Sequence, residues 1–201
     1  MTARRRLGDR GQTLPIYIWL TAILLFAAFA FFAFAQAASA RNGAQSAADA
    51  AALAAAQDAR DELMDGLTAA IGQDDNWLDW LGELPPAGAG ATAAAQQLAS
   101  ENESTVESVE PTTNNGFPGY EVAIETNYTV GDSIIPGTEG MRAKAHATAV
   151  IQPRCDFDPD ADPEKPLELD CGDELVNIDP GDFDPADLPD ASVLFSVHLA
   201  E

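Results

Sequence analysis

Leu14-Pro15-Ile16-Tyr17-Ile18-Trp19-Leu20-Thr21-Ala22-Ile23-Leu24-Leu25-Phe26-Ala27-Ala28-Phe29-Ala30-Phe31-Phe32-Ala33-Phe34-Ala35 is an uncharged, predominantly apolar run, and no charge appears between Arg10 and Arg41. At about 1.5 Å per residue, a helix over 14–35 is roughly 33 Å long, enough to cross a hydrocarbon core of about 30 Å. Thr13 is a candidate N-cap, and Pro15 falls in the first turn, where a missing N–H costs little. The run predicts a transmembrane helix over 14–38. A cleaved secretory signal competes with that reading, because Ala38-Ser39-Ala40 is an A-x-A site. Signal h-regions run about 7–15 residues, and this one is longer, so the expectation is a retained anchor. Both readings export the C-terminal part of the chain.

Charge orients the chain. Residues 1–13 form a basic arm, with Arg4, Arg5, Arg6 and Arg10 against Asp9. After position 41 only Arg60, Arg142, Lys144, Arg154 and Lys165 are cationic, against 32 acids. The positive-inside rule then places the N-terminus in the cytoplasm and the rest outside, a single-pass protein of the cell membrane with an extracellular domain. The formal net charge of −23 excludes nucleic acid as a partner, and a general attraction to anionic lipid as well.

Helical signals continue past the span. Gln45-Ser46-Ala47-Ala48-Asp49-Ala50-Ala51-Ala52-Leu53-Ala54-Ala55-Ala56 is dominated by the best intrinsic helix former, and Leu53, Arg60, Met64, Leu67 and Ile71 recur at helical steps. Residues 39–84 therefore read as an alanine-rich amphipathic stalk. Its smooth face, with the small pair Ala33 and Ala37 inside the span, would let another backbone approach closely. Alanine as mere helix filler fits the same composition. Trp77 and Trp80 lie in a short apolar turn of helix, as core or membrane-interface anchors. A linker occupies 85–91, then a short helix Thr92–Ser100.

Next the period changes to two. Tyr120, Val122, Ile124, Thr126, Tyr128 and Val130 alternate with polar or small residues, and Arg142 to Ile151 alternates likewise. With turn residues between them, the two runs predict a hairpin, and Ser104–Val109 and Ser192–Leu199 are candidate flanking strands. The expected fold is α+β, pilin-like: one long N-terminal membrane helix, its stalk, and a small antiparallel sheet domain over 92–201.

A Pro/Asp-rich insert, 153–190, interrupts that domain. It reads as a solvated loop with little to bury. Cys155 and Cys171, the only cysteines, are expected to pair there once exported. Asp156, Asp158, Asp160 and Asp162 are spaced like calcium ligands, but Ala161 and Leu167 stand where an EF-hand loop needs glycine and glutamate. The sequence therefore makes no firm metal assignment, and no cofactor is expected. His146 and His198, the only histidines, fall in strand patterns without a nucleophile motif, and no enzyme is read here.

Arg10-Gly11-Gln12, the uncharged span and the Ala47–Ala56 tract together resemble the N-terminal segment of TadE/TadG-like Flp (tight-adherence) pilus-assembly proteins. Processed pseudopilins of that system carry a glutamate five residues after the cleavage glycine. Here that position is Ile16 after Gly11, or Thr13 after Gly8, so the resemblance is closer to the TadG-like branch. It implies a bacterial envelope location and a structural role beside other Tad/Flp membrane subunits or pilins, or a second copy. On that basis Ala33, Ala37, Ala48, Ala51 and Ala55 are the expected helix-packing face. The alternative is a tethered extracellular module that captures a cation or a basic ligand through the acidic domain.

Overall fold

The computed structural model describes residues 13–73, 76–82, 88–130, 140–172 and 174–200. The basic arm 1–13, except its last residue, and residues 85–87 of the linker 85–91 lie outside them. Helix α1 runs unbroken from Thr13 to Ala70. Its first buried residue is Ala40, and from there on it forms the centre of the folded domain.

Short α2 (Asp79–Gly82) and α3 (Ala91–Glu101) come next, then β1 (Ser104–Asn114), β2 (Phe117–Thr129) and β3 (Arg142–Pro153). The chain continues through β4 (Leu167–Asp170), β5 (Leu175–Ile178), a single turn α4 (Ala191–Leu194) and β6 (Phe195–Leu199). The main sheet has the order β1-β2-β3-β6 and is antiparallel throughout, while β4 and β5 pair separately. The buried half of α1 lies against β2 and β3 on one side and α3 on another.

Alanine makes that arrangement possible. Ala44, Ala47, Ala48, Ala51, Ala52, Ala55 and Ala56 are fully buried on α1, facing strand β3 with its buried Ala143, Ala147 and Ala149, and helix α3 with Ala91, Ala95 and Ala99 on one stripe. A helix with neighbours on two sides can close to backbone distance only where side chains are this short. Two glycines of α1 extend the same logic, since the Tyr128 hydroxyl and the Trp80 ring fill the space a Cβ would need at Gly43 and Gly66. Beyond the tract, Leu63, Leu67, Ile71, Trp77 and Leu81 complete the core, and the indole Nε1 of Trp77 donates to the Pro163 carbonyl at 2.9 Å. Trp77 is thus a core residue.

The period-two reading of β2 corresponds to Val122, Ile124 and Thr126 facing the helix and Glu121 and Asn127 facing solvent. Buried Thr126 is satisfied, its Oγ1 donating to the Tyr128 carbonyl and accepting from Ala143 N. β1 runs five residues beyond the expected Val109. Pro111 is tolerated because β1 is an edge strand. Asn115 (φ 52°) and Gly116 (φ 89°) close the β1–β2 hairpin, the left-handed pair that a two-residue turn of this type requires.

Three expectations change. Residues 39–84 are not a free stalk, because from Ala40 onward the helix shares one core with the sheet. The run Ser192–Leu199 starts as a helical turn, with Asp190 capping Ser192 N, and extends only from Phe195. The insert 153–190, expected as a solvated loop with little to bury, places Leu167, Leu169, Cys171, Val176 and Ile178 in the common core. Its aspartates order the turns: Asp158, Asp162, Asp179 and Asp184 each precede a proline and accept a hydrogen bond from the backbone N–H two residues on. A disulfide joins Cys155 and Cys171.

Candidate functional surface: the free apolar half of the long helix

Residues 13–39 project from the domain as about 40 Å of bare helix. Fourteen large apolar side chains, Leu14 through Phe34, are more than half exposed on it. Outside α1, among the described residues, only Met141 and Leu175 are as exposed, with Leu199 next at 37%. Apolar on every face, this segment has the character of a helix solvated by lipid or by other helices rather than by water. It is the one helix among the described residues that is long and apolar enough to cross a membrane, with a mean hydropathy of 2.4 over its best window, none of it buried.

The five alanines expected to form one packing face are divided by the structure. Ala37 is exposed and Ala33 half-exposed on the bare helix, where a second helix could reach them. Ala48, Ala51 and Ala55 are at 0% exposure beneath the chain's own strands and α3, so their smooth face is already occupied. Gln36, the first polar side chain after the apolar run, sits between Ala33 and Ala37. Its Oε1 is shielded and has no hydrogen-bond partner among the described residues.

Arg41 is exposed on the helix, and Arg142 and Lys144 project from β3. Lys144 Nζ bridges Glu107 (2.6 Å) and Glu125 (3.0 Å). These bonds raise the lysine pKa, Glu107 contributing most, and the Lys144 bond is the main reason the Glu125 carboxyl titrates below its ordinary range. His146 and His198 are exposed on the strands.

At the opposite end lies the acidic insert. The four candidate calcium ligands do not converge. Asp156 bridges Asp170 through the backbone, Asp158 caps Asp160, and Asp162 caps Glu164 while pairing with Lys165 at 2.6 Å. Among the described residues no three histidine, cysteine or carboxylate side chains are placed to hold a metal ion.

With the span and the alanine tract shown to be one helix, comparison with known families becomes specific. Residues 11–58 match the Tad family, Flp pilus-assembly TadE/G-like. The match covers most of α1 and none of the strands, and it does not separate the TadE-like from the TadG-like branch. It crosses the point where the helix passes from bare to buried, so the Tad segment contributes both the projecting half and the first turns of the core. No curated protein and no solved structure matches the chain. Two elements missed by sequence reasoning do have local signals: Asn115-Gly116 for the β1–β2 turn, and the alternation of Leu167 and Leu169 with acids for the buried β4–β5 pair.

Proposed function

We propose that this protein is a membrane-anchored assembly component of a Tad/Flp-type pilus or a related envelope system, acting through helix packing in the membrane. The observation that carries the reading is the 27-residue bare apolar half of α1, continuous with a core built on the same helix and lying within the Tad match. The N-terminus is cytoplasmic and the sheet domain external, because Arg4, Arg5, Arg6 and Arg10 precede the span and only Arg41 closely follows it. Partners are other Tad-type membrane subunits or pilins. They meet the helix at Ala33 and Ala37, where small side chains allow close approach.

The test is co-purification from membranes with pilus-system subunits. Ala33→Leu/Ala37→Leu should lose the partners while the protein stays in the membrane fraction at high salt. Undiminished capture by the double variant would refute this contact face. External protease on protoplasts should remove the sheet domain, and full protection would reverse the orientation.

A further inference from the structure

We propose that the base of the sheet domain is seated in the lipid headgroup layer, with Met141 against lipid and Arg142 at phosphate level. This inference rests on reading residues 14–35 as the membrane span. Ser39, exposed, and Ala40, buried, are successive residues of one unbroken helix, so no hinge separates span from domain. The height of the domain above the bilayer is then set by helical rise.

A Cβ at Gly88 would touch both the Tyr120 hydroxyl and Ala59, and one at Gly43 would meet the Tyr128 hydroxyl, so Tyr120 lies beside Ala59 and Tyr128 beside Gly43. Sixteen helical residues and eight strand residues both measure about 25 Å, so β2 descends alongside α1 toward the membrane. Gly43 stands eight residues past Ala35, about 12 Å beyond the apolar run. Two residues further along, one past the end of β2, Val130 comes back by at most about 7 Å, to about 5 Å from the end of the run if the extended course continues. The headgroup region on each side is roughly 5–8 Å deep. Met141 shares that level, since its carbonyl accepts from Val130 N at 2.9 Å, and Arg142 pairs with Thr129 one step above.

Met141 is 55% exposed. Leu199 pairs with Ala149, near the Tyr120 level, and Leu175 belongs to the insert, which meets the far end of α1 where the Pro180 carbonyl faces Gly72. Met141 alone of the three therefore lies at membrane level, where an exposed thioether is solvated by lipid. Arg142, next in the chain to Met141, can present a guanidinium fork to a phosphodiester, and its contact with Glu125, at 3.5 Å, leaves donors free; Arg41, two residues below Gly43 on α1, lies about 9 Å beyond the apolar run and can do the same. The headgroup phosphate of a zwitterionic lipid suffices. The rigid helix imposes the seat, so the acidity of the chain does not oppose it through long-range repulsion from an anionic surface.

The full chain is reconstituted in phosphatidylcholine nanodiscs, with an environment-sensitive probe on Met141→Cys, Leu175→Cys or Phe29→Cys; the native disulfide leaves no competing thiol among the described residues. Near-native melting of each variant is checked first. Headgroup-nitroxide lipid should quench the Met141 probe several-fold more than the Leu175 probe, and acyl-chain nitroxide should quench the Phe29 probe. Strong quenching at Phe29 with equal, weak quenching at Met141 and Leu175 would overturn the seat and leave the span standing. An unquenched Phe29 probe would remove the span and the seat with it. Spontaneous Met141→Cys dimers without lipid quenching would assign the patch to a second copy and likewise overturn the proposal.

Discussion

Replacing Ala51 with leucine separates two uses of the same alanine face. If that face served only partners, Ala51→Leu would abolish capture and leave the fold alone. In the structure Ala51 is at 0% exposure, on a helix bounded by β3 and α3. Leucine adds three carbons there. Accommodated in free space they would contribute about 2.4 kcal/mol of favourable transfer. Between backbones spaced by alanine they must instead push strand and helix apart, and overpacking of this kind costs about 1–3 kcal/mol, at times more. The upper half of that range is expected, because the obstruction on both sides includes main chain. At about 2–4 °C per kcal/mol for a domain of this size, the melting temperature falls by about 5–10 °C. The assay is near-UV circular dichroism of the detergent-solubilised chain on heating, which reads the packing of Trp77 and Trp80. Ala37→Leu is the matched control, with the same chemistry on the same helix at an exposed position, and should melt with the unmodified protein. Equal melting of Ala51→Leu and Ala37→Leu would refute the packing argument.

Two further outcomes concern single sites. Gly66→Ala should destabilise the domain even though alanine is favoured over glycine by about 1 kcal/mol in a helix interior, because its Cβ would enter the Trp80 ring; Gly66→Ala/Trp80→Ala should recover the helix preference in a thermal melt, and stabilisation by Gly66→Ala alone would show that the ring moves aside freely. Removing the disulfide with Cys155→Ala/Cys171→Ala should cost about 3 kcal/mol for a loop of this length and lower the melting point while membrane insertion persists; two free thiols in the mass map of non-reduced native protein would contradict the bond itself.

What residue order alone made legible is local in origin. The apolar run 14–35 needs no partner to declare itself, because its length and lack of charge are properties of the segment. Likewise the absence of proline from Arg41 to Ile71 and the alternation along Tyr120–Val130 predict helix and strand from neighbouring residues, and α1 and β2 occupy those places. The candidate surface was therefore half readable, with Ala33 and Ala37 left open on the bare helix and Ala48, Ala51 and Ala55 taken into the core. Composition cannot make that division. A smooth alanine face suits a partner's backbone and the chain's own β3 equally well, and the choice rests on Ala143, Ala147 and Ala149 arriving from some ninety residues away. The insert shows the same limit. Its prolines and aspartates read as solvated chain, yet the few apolar residues between them are buried, because α1 had already assembled a core for them to join and the disulfide held them beside it. Burial belongs to pairs of segments distant in sequence, and only the tertiary structure pairs them.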